Sequence, residues 1–431
     1  MSSAAYSRLR RIFNTTTTTT SSTAVSSSTN TTSKIVKTKP KTPKITAAVP
    51  TTTVAAAAAV ISRPKTENLA FEPLPTSQLT DSLRNLKTFI DKFKRASNAG
   101  PFRYRYKYYE DVVNHLANAR QHYYIEQILE HQKRYKTDMA NEPFVVRLIS
   151  LYGKSRMYDH ARKLFDEMPE LNCPRTVLSA NALLTACVNS KRSTEITELF
   201  RELREDFAIE PDDVSYNVVI KALCDTEAVD SALEMIDEME RNGCECNLYT
   251  YNTILDALYR NGKVSEGDKQ WELMKSKNLE PDIRTYNAKV RGLVVDKRIL
   301  EAVGLLDEMK GNGVNPDVYT YNGLINGFVK EDDLMEVKNW YAEMVKSKIV
   351  PDTVTFRIII SFASRKGDYK FGFELCKEGL IQKINVGRLN LEGVVEGLVK
   401  EAAIDEAKEL VKLVNGSKFI YYKLKLESPM V

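Results

Sequence analysis

The chain has 431 residues, of which 43% are hydrophobic and 28% charged, so it is long enough to bury a large core. No apolar run reaches membrane-spanning length, since the stretch 54–61 is short and rich in alanine. The four histidines show no ligand spacing, and the six cysteines form no C-x-x-C pair, which predicts free thiols in a reducing compartment. We therefore expect no metal, no cofactor, no small-molecule substrate and no membrane partner.

The N-terminal residues 1–66 contain ten basic residues and no acidic one, in a background of Ser, Thr and Ala. Tyr6, Leu9, Ile12 and Phe13 would form the apolar face of a short helix that carries arginines on its other side. This composition is typical of a transit peptide, and the early arginines favour the mitochondrial matrix over the chloroplast. We expect the Ser/Thr/Ala-rich remainder of this segment to be disordered.

The balance of charge changes along the chain. All 431 residues carry 62 Lys and Arg against 57 Asp and Glu, a formal net charge of +5. Without the ten basic residues of 1–66, the remainder has 52 basic residues against 57 acidic ones, a net charge of −5. An acidic body does not hold RNA through a general positive field, so any RNA contact is expected to be local.

The region 67–105 is predicted to be a linker followed by a basic helical segment. Basic residues and tyrosines are interleaved across 84–136, a composition that suits phosphate contacts combined with base stacking. The alternative is a solvated face of a helix pair that caps the stack. The candidate phosphate ligands are Lys92, Lys94, Arg95, Arg103 and Arg105.

From residue 106 onward, a unit of about 35 residues recurs. A Tyr-Asn pair returns at 216–217, 251–252, 286–287 and 321–322. A Pro-Asp pair keeps the same period at 281–282, 316–317 and 351–352. Two independent landmarks with one period predict a solenoid, in which each unit stacks only on its neighbours. The nine predicted units, degenerate at both ends, are 106–141, 142–176, 177–212, 213–247, 248–282, 283–317, 318–352, 353–387 and 388–422, and a short tail follows at 423–431.

Each unit is predicted to contain two amphipathic helices and a loop. In the unit 283–317, apolar residues recur at helical spacing on both sides of a turn near residue 297. Gly311 and Gly313 end the second stripe, and Pro316 blocks its continuation. Ala302 stands where most units have a small residue, which lets the two helices approach closely. The fold class is therefore all-α.

The 35-residue period, the opening Tyr-Asn and the closing Pro-Asp resemble the pentatricopeptide repeat family in its plain form. The resemblance implies a right-handed superhelical solenoid of helix-turn-helix repeats that binds single-stranded RNA. In this family the fifth and last residues of a unit contact the edge of one base. Carried over unit by unit, the base-reading pairs are Asn181 with Asp212, Asn217 with Asn247, Asn252 with Asp282, Asn287 with Asp317, and Asn322 with Asp352.

The family also places the second residues of adjacent units on either side of a base. These residues here are Leu178, Val214, Tyr249, Arg284 and Tyr319. Aromatic rings and guanidinium planes stack on bases, which favours a stacking role for Tyr249, Arg284 and Tyr319. The alternative is that all of them are ordinary exposed residues of a helix.

By the family's code, an Asn–Asp pair favours uracil, and an Asn–Asn pair favours a pyrimidine, chiefly cytosine. The flanking units fit no usual pairing, so at most five consecutive units read bases, giving roughly U-(C/U)-U-U-U. A mismatch at one base typically costs ~1–3 kcal/mol, so a tract this short does not select one transcript among many.

Segments such as 148–154 and 165–169 resemble a subgroup of short plant pentatricopeptide proteins. Some members of that subgroup are constituents of the small subunit of the plant mitochondrial ribosome, which implies ribosomal RNA and mitochondrial ribosomal proteins as partners. One alternative is a free RNA-processing or transcript-stabilising factor that binds a short pyrimidine-rich single-stranded tract, and another is a protein-binding scaffold. The zinc-ligand motifs of the family's deaminases are absent from the sequence, which favours a protein that is not an enzyme.

Overall fold

The computed structural model describes residues 83–425, with side chains from residue 86 onward. The predicted transit peptide at 1–66 lies outside the described residues. Every regular element between 83 and 425 is helical. The α-helices are α1 (Leu83–Ala96), α2 (Gly100–Arg103), α3 (Tyr106–Asn118), α4 (His122–Glu130), α5 (Lys136–Met139), α6 (Glu142–Lys154), α7 (Tyr158–Glu167), α8 (Val177–Asn189), α9 (Ile196–Glu205), α10 (Asp213–Asp225), α11 (Val229–Arg241), α12 (Leu248–Arg260), α13 (Val264–Ser276), α14 (Ile283–Val295), α15 (Ile299–Gly311), α16 (Val318–Lys330), α17 (Leu334–Lys346), α18 (Thr353–Arg365), α19 (Tyr369–Ile381), α20 (Arg388–Lys400) and α21 (Ile404–Gly416).

Within 83–425, the helices from α3 onward form successive antiparallel pairs, apart from the four-residue α5. Each first helix begins at the first residue of a predicted unit, as α12 does at Leu248 and α14 does at Ile283. It packs on its own second helix and on the first helix of the next unit, so α12 contacts both α13 and α14. This nearest-neighbour stacking confirms the prediction of an all-α helical repeat solenoid.

The turn between the two helices of a unit contains a residue in the left-handed backbone conformation. In three consecutive units this residue is Glu227 (φ 62°), Gly262 (φ 73°) and Lys297 (φ 59°). Only glycine adopts such a φ without steric cost. In most units a residue other than glycine occupies this position, in spite of that steric cost. The packing of the helix pair therefore determines the turn conformation.

The tyrosine of each Tyr-Asn pair belongs to the core. Tyr216, Tyr286 and Tyr321 are all 1% exposed or less. The Tyr216 hydroxyl accepts a hydrogen bond from Asn242 Nδ2 at 2.7 Å, and the Tyr286 hydroxyl accepts one from Asn312 Nδ2 at 2.8 Å. Both partners follow the second helix of the same unit, so this tyrosine joins the start of a unit to its end.

Glycines allow the close approach of neighbouring units around Tyr259, which is fully buried on α12. A Cβ added at Gly292 on α14 would lie 2.1 Å from Tyr259 Cδ1. A Cβ added at Gly267 on α13 would lie 2.5 Å from Tyr259 Cε1. The tyrosine ring therefore lies between two helices that lack side chains at the points of contact.

The N-terminal helix α1 packs its apolar face against the first unit. Phe93 is fully buried, and its ring centroid lies 5.2 Å from that of Phe102 and 4.7 Å from that of Tyr109. The Ser97 hydroxyl lies 2.8 Å from the Tyr109 hydroxyl. An aromatic cluster therefore holds α1 to the beginning of the stack.

Candidate RNA-binding surface

The last residue of each central unit is the N-cap of the next unit's first helix. Asp282 has an extended backbone, and its Oδ1 accepts the backbone N–H groups of Arg284 and Thr285, each at 2.9 Å. Thr285 completes a capping box by accepting the Asp282 backbone N–H at 3.0 Å. A cap of this kind typically contributes about 1 kcal/mol to helix stability. The residues predicted to read bases therefore also hold the helices that follow them.

The fifth residue of a unit contacts this cap across the gap between two units. Asn252 Nδ2 donates to Asp282 Oδ1 at 3.1 Å, although 30 residues separate them. The Thr285 hydroxyl donates to Asn252 Oδ1 at 2.6 Å. We call this three-residue arrangement a reading slot: the fifth residue, the last residue, and the Ser or Thr at position 3 of the next unit. The same Asn–Asp hydrogen bond forms in the slots of Asn181 with Asp212 at 2.9 Å, Asn287 with Asp317 at 3.1 Å, and Asn322 with Asp352 at 3.2 Å.

The slot of Asn217 and Asn247 differs from the other four. Asn247 Oδ1 accepts the backbone N–H groups of Tyr249 and Thr250 at 2.9 and 3.2 Å. The Thr250 hydroxyl donates to Asn217 Oδ1 at 2.7 Å. Asn217 and Asn247 share no hydrogen bond among the contacts described for residues 83–425. With its oxygen bound to the helix terminus, Asn247 offers an amino group where the other slots have a carboxylate oxygen.

The groups left available in each slot can account for a difference in base preference. In the four slots whose last residue is an aspartate, the described hydrogen bonds go to the Oδ1 atom, as at Asp282 and Asp317. The Oδ2 atom is left to accept a hydrogen bond from a base. Uracil presents an N3–H donor, which suits that oxygen, whereas cytosine presents N3 as an acceptor, which suits the amino group of Asn247. Burial raises the pKa of Asp352, but hydrogen bonds from Thr355 and Asn322 outweigh it and hold the pKa below its usual value. This carboxylate is therefore ionised at neutral pH.

The predicted stacking positions occupy the same register in successive first helices. Tyr249 is 51% exposed and Tyr319 is 71% exposed, Arg284 is exposed, and Val214 is half-buried, as is Leu178. The two following units continue the row with Val354 at 50% and Leu389 at 85% exposure. Sequence reasoning passed over these two because their units lack a reading pair, although position 2 of each unit identifies them.

The flanking units lack a reading slot for specific reasons. Before the central units, the Glu142 carboxylate accepts hydrogen bonds from the backbone N–H and the hydroxyl of Thr176, each at 2.9 Å. After them, Gly387 supplies no side chain at the last position of its unit, and its φ of 95° differs from the extended N-caps. Arg357 occupies the fifth position there, and its backbone carbonyl accepts from Asn390 Nδ2 at 3.3 Å.

The five candidate phosphate ligands divide into two groups. Lys92 and Arg95 are exposed on α1, and Arg105 is exposed just before α3. Lys94 is half-buried, and its Nζ donates to Gln127 Oε1 at 2.6 Å, which ties α1 to α4. The exposed members remain candidates for phosphate contact because of their exposure, and the bond of Lys94 to Gln127 gives Lys94 a structural role.

Arg103 also has structural partners, and they surround its guanidinium group. Its Nε donates to Asp138 Oδ2 at 2.5 Å, and its side chain is 13% exposed. The guanidinium carbon lies 4.0 Å from the centroid of the Tyr135 ring. Tyr104 donates a second hydrogen bond to Asp138 at 2.8 Å. These contacts give Arg103 a structural role in the N-terminal cap, which its sequence spacing did not indicate.

Sequence reasoning also missed the Ser and Thr residues at position 3 of the units. Their side chains are at most 3% exposed, and each bonds to the reading asparagine of the preceding unit. A usable signal was present, because Asp or Asn followed three residues later by Ser or Thr resembles a capping box. The residues are Ser215, Thr250, Thr285, Thr320 and Thr355.

Among residues 83–425, no group of three or more His, Cys, Asp or Glu side chains is placed to hold a metal ion. No described helix combines the length and the apolarity that crossing a bilayer requires. All six cysteines are free thiols, and burial raises the pKa of Cys224 and of Cys376 to about 12.

Two family descriptions match this chain. The description "PPR repeat family" matches overlapping segments that together cover 175–364, and "PPR repeat" matches 147–173. The matched residues number 217 of 431, just over half of the chain, and they include all five reading slots. The chain belongs to the pentatricopeptide repeat family.

Curated relatives from Arabidopsis thaliana include small ribosomal subunit proteins. The protein named mS78 (rPPR3a) is 43% identical over 187 residues, which are 43% of this chain and 46% of the relative. The protein named mS79 (rPPR3b) is 46% identical over 165 residues, which are 38% of this chain and 42% of the relative. A pentatricopeptide repeat-containing protein named as mitochondrial is 37% identical over 159 residues, 36% of this chain and 38% of the relative. The chain thus spans less than half the length of these relatives.

Proposed function

We propose that this protein is a non-catalytic, RNA-binding component of the small subunit of the mitochondrial ribosome, located in the matrix, where it supports organellar translation. The observation that carries the proposal is the similarity to mS78 and mS79, which are named as small ribosomal subunit proteins. The predicted transit peptide and the relative named as mitochondrial support the location.

The geometry of the slots supports a protein that contacts a few bases of an RNA, in addition to many other contacts with ribosomal RNA and neighbouring proteins. Five consecutive slots hold their side chains in place without RNA, whereas the flanking units have none. A readable tract of this length gives too little selectivity for a protein that must find one transcript alone. A component of the ribosome does not need this selectivity, because neighbouring proteins and ribosomal RNA hold it in position.

Phosphate contact is proposed for the exposed basic face of α1. Lys92 and Arg95 are exposed on this helix, with Asp91 as an exposed acidic neighbour. The rest of the chain beyond residue 66 is acidic overall, so a local basic surface is where an RNA backbone would be attracted. The aromatic cluster around Phe93 holds this face in a fixed orientation.

The alternative function is a free mitochondrial factor that processes or stabilises a transcript by binding a pyrimidine-rich single-stranded tract. The continuous row of five slots favours it, because each slot is already shaped for one base. In that case binding depends on the reading residues alone. In the ribosomal case it depends on the sum of many contacts.

The two functions differ in how variants sediment with mitochondrial ribosomal subunits. One variant carries Ala at Asn217, Asn252, Asn287 and Asn322. We expect it to remain with the small subunit, because the loss of a few base contacts leaves the protein contacts intact. Slow sedimentation of the wild type, away from the small subunit, with binding to a U-rich oligonucleotide abolished by the four Asn changes, would favour the free factor.

The basic face of α1 is tested by a second variant with Glu at Lys92 and Arg95. We expect this variant to associate more weakly, and more weakly still at high salt, because phosphate contacts release counterions. The matched control carries Glu at Lys297 and Lys348, which are exposed at turns elsewhere in the stack. Equal association of both double variants would contradict a phosphate-binding role for α1.

A further inference from the structure

A buried hydroxyl joins every reading slot to the unit that follows it. It belongs to Ser215 or to one of four threonines, all between 0% and 3% exposed. Each hydroxyl donates to Oδ1 of the reading asparagine in the preceding unit, at 2.6 to 2.8 Å. The pairs are Ser215 with Asn181, Thr250 with Asn217, Thr285 with Asn252, Thr320 with Asn287, and Thr355 with Asn322.

Each hydroxyl has a single hydrogen and two acceptors within reach, and the distances favour the asparagine. Thr285 Oγ1 lies 2.6 Å from Asn252 Oδ1 and 2.9 Å from Asp282 Oδ1. Asp282 Oδ1 already accepts two backbone N–H groups. The Thr285 hydroxyl is the described donor to Asn252 Oδ1, so the bond to the asparagine is the one that satisfies an otherwise unpaired oxygen.

The orientation of the carboxamide follows from this bond. Rotating the Asn252 side-chain amide by 180° would exchange Oδ1 and Nδ2. In that flipped state, its oxygen would face Asp282 Oδ1, and two acceptors would repel each other. In slots whose last residue is an aspartate, two groups therefore determine the orientation of the asparagine amide: the hydroxyl, which donates to its oxygen, and the carboxylate, which accepts from its nitrogen.

The slot of Asn217 has only one of these two constraints. Its last residue is Asn247, and the two asparagines share no hydrogen bond among the described contacts. The Thr250 hydroxyl, 2.7 Å from Asn217 Oδ1, is then the one described group that holds the Asn217 amide. Asn217 is 8% exposed, and Thr250 is fully buried, so water does not readily replace this bond.

We propose that the position-3 hydroxyl is a specificity-determining positioning group, which holds each reading asparagine with its Nδ2–H available to a base in the slot. A pyrimidine offers the O2 carbonyl to such a donor. Thr250 is the decisive case, because no carboxylate shares its task. The inference rests on the proposed RNA-reading function and adds the residue that determines which face of the asparagine amide reaches the base.

The test uses the full chain and three variants. Thr250→Val removes the hydroxyl at nearly constant shape, whereas Thr250→Ser keeps it. Thr253→Val is the matched control, since the Thr253 hydroxyl donates to the Tyr249 carbonyl within its own helix at 2.8 Å. Binding is measured to a U-C-U-U-U oligonucleotide and to versions with A or G as the second nucleotide, opposite Asn217.

The wild type should prefer a pyrimidine at that nucleotide by about tenfold, the discrimination expected of one well-made base contact. Thr250→Val should reduce this preference to about twofold or less, while Thr250→Ser and Thr253→Val retain it. If the wild type shows no preference, the proposed base reading fails and this inference fails with it. If the wild type and Thr250→Val share the same preference, base reading stands and the positioning role alone is overturned.

A second measurement needs no RNA. In protein labelled with ¹⁵N at asparagine, the Nδ2 signals of Asn217 should shift or broaden in Thr250→Val, because its carboxamide loses the bond that orients it. The same signals should be unchanged in Thr253→Val. An unchanged Asn217 signal in Thr250→Val overturns the positioning role, whatever the RNA binding shows.

Discussion

Gly292→Ala should destabilise the junction between two units, although alanine is the better helix former. The new Cβ would lie 2.1 Å from Tyr259 Cδ1, where non-bonded carbons ordinarily lie about 3.5–4.0 Å apart. The tyrosine has nowhere to move, because Gly267 lies against its other side and its hydroxyl donates to Asp268 at 2.9 Å. Overpacking of this kind costs ~1–3 kcal/mol, and replacing glycine in a helix returns about 1 kcal/mol. We therefore expect a net loss of up to about 2 kcal/mol.

Gly304→Ala is the matched control for this prediction. Gly304 lies inside α15, and a Cβ added there meets nothing within 4 Å. The same chemical change should therefore stabilise the protein by about 1 kcal/mol. In a Tyr259→Leu background, Gly292→Ala should cost less than it does in the wild type, because the smaller side chain makes room for the new methyl group.

Hydrogen exchange and thermal unfolding measure the effect. Since unfolding of a repeat stack need not be two-state, the informative readout is local protection in residues 248–317. We expect exchange in this range to accelerate in Gly292→Ala and not in Gly304→Ala. Equal protection in the two variants, or an equal cost of Gly292→Ala with Tyr259 and with Leu at that position, would refute the packing of Tyr259 between neighbouring units.

Two further predictions concern titratable groups. The pKa of Asp352 is below its usual value, so its contribution to stability is present above about pH 4 and is lost as the pH falls further. The Tm difference between wild type and Asp352→Asn should therefore shrink from pH 7 to pH 3, and a constant difference would contradict this. Among the six free thiols, Cys244 should react first with a maleimide because the other five are buried. Burial and Asp213 raise the Cys244 pKa, so its reaction rate should still increase with pH beyond the ordinary thiol pKa of about 8.5. Equal reactivity of Cys244 and Cys376 would be the contrary result.

The repeat could be predicted from sequence because its landmarks serve the local structure. Tyr286 recurs because a buried ring joins the two ends of its unit, and Asp282 recurs because a helix needs an N-cap. The period of such residues gives the helix pairs and the stacking order. The base-reading roles of the asparagines remain predictions, although four of them donate hydrogen bonds to the aspartate caps.

Contacts between distant residues could not be predicted in this way. Arg103 was assigned to phosphate contact by its place in a basic segment, but its partner Asp138 is 35 residues away and no local pattern relates the two. The fit of Tyr259 against Gly292 likewise depends on how closely two helices approach. The bond from Thr250 to Asn217 crosses from one unit to the next, so a reading of single units does not reveal it.

The most direct test of the proposed function is the amount of the native protein across a density gradient of mitochondrial ribosomal subunits. Quantitative mass spectrometry of each fraction gives its ratio to established small-subunit proteins. A ribosomal component should peak with the small subunit at a constant ratio close to one, and this ratio should persist after RNase digestion of unprotected RNA. A peak in the light fractions, or a ratio far below one that falls further with RNase, would contradict the account and favour a free RNA-binding factor.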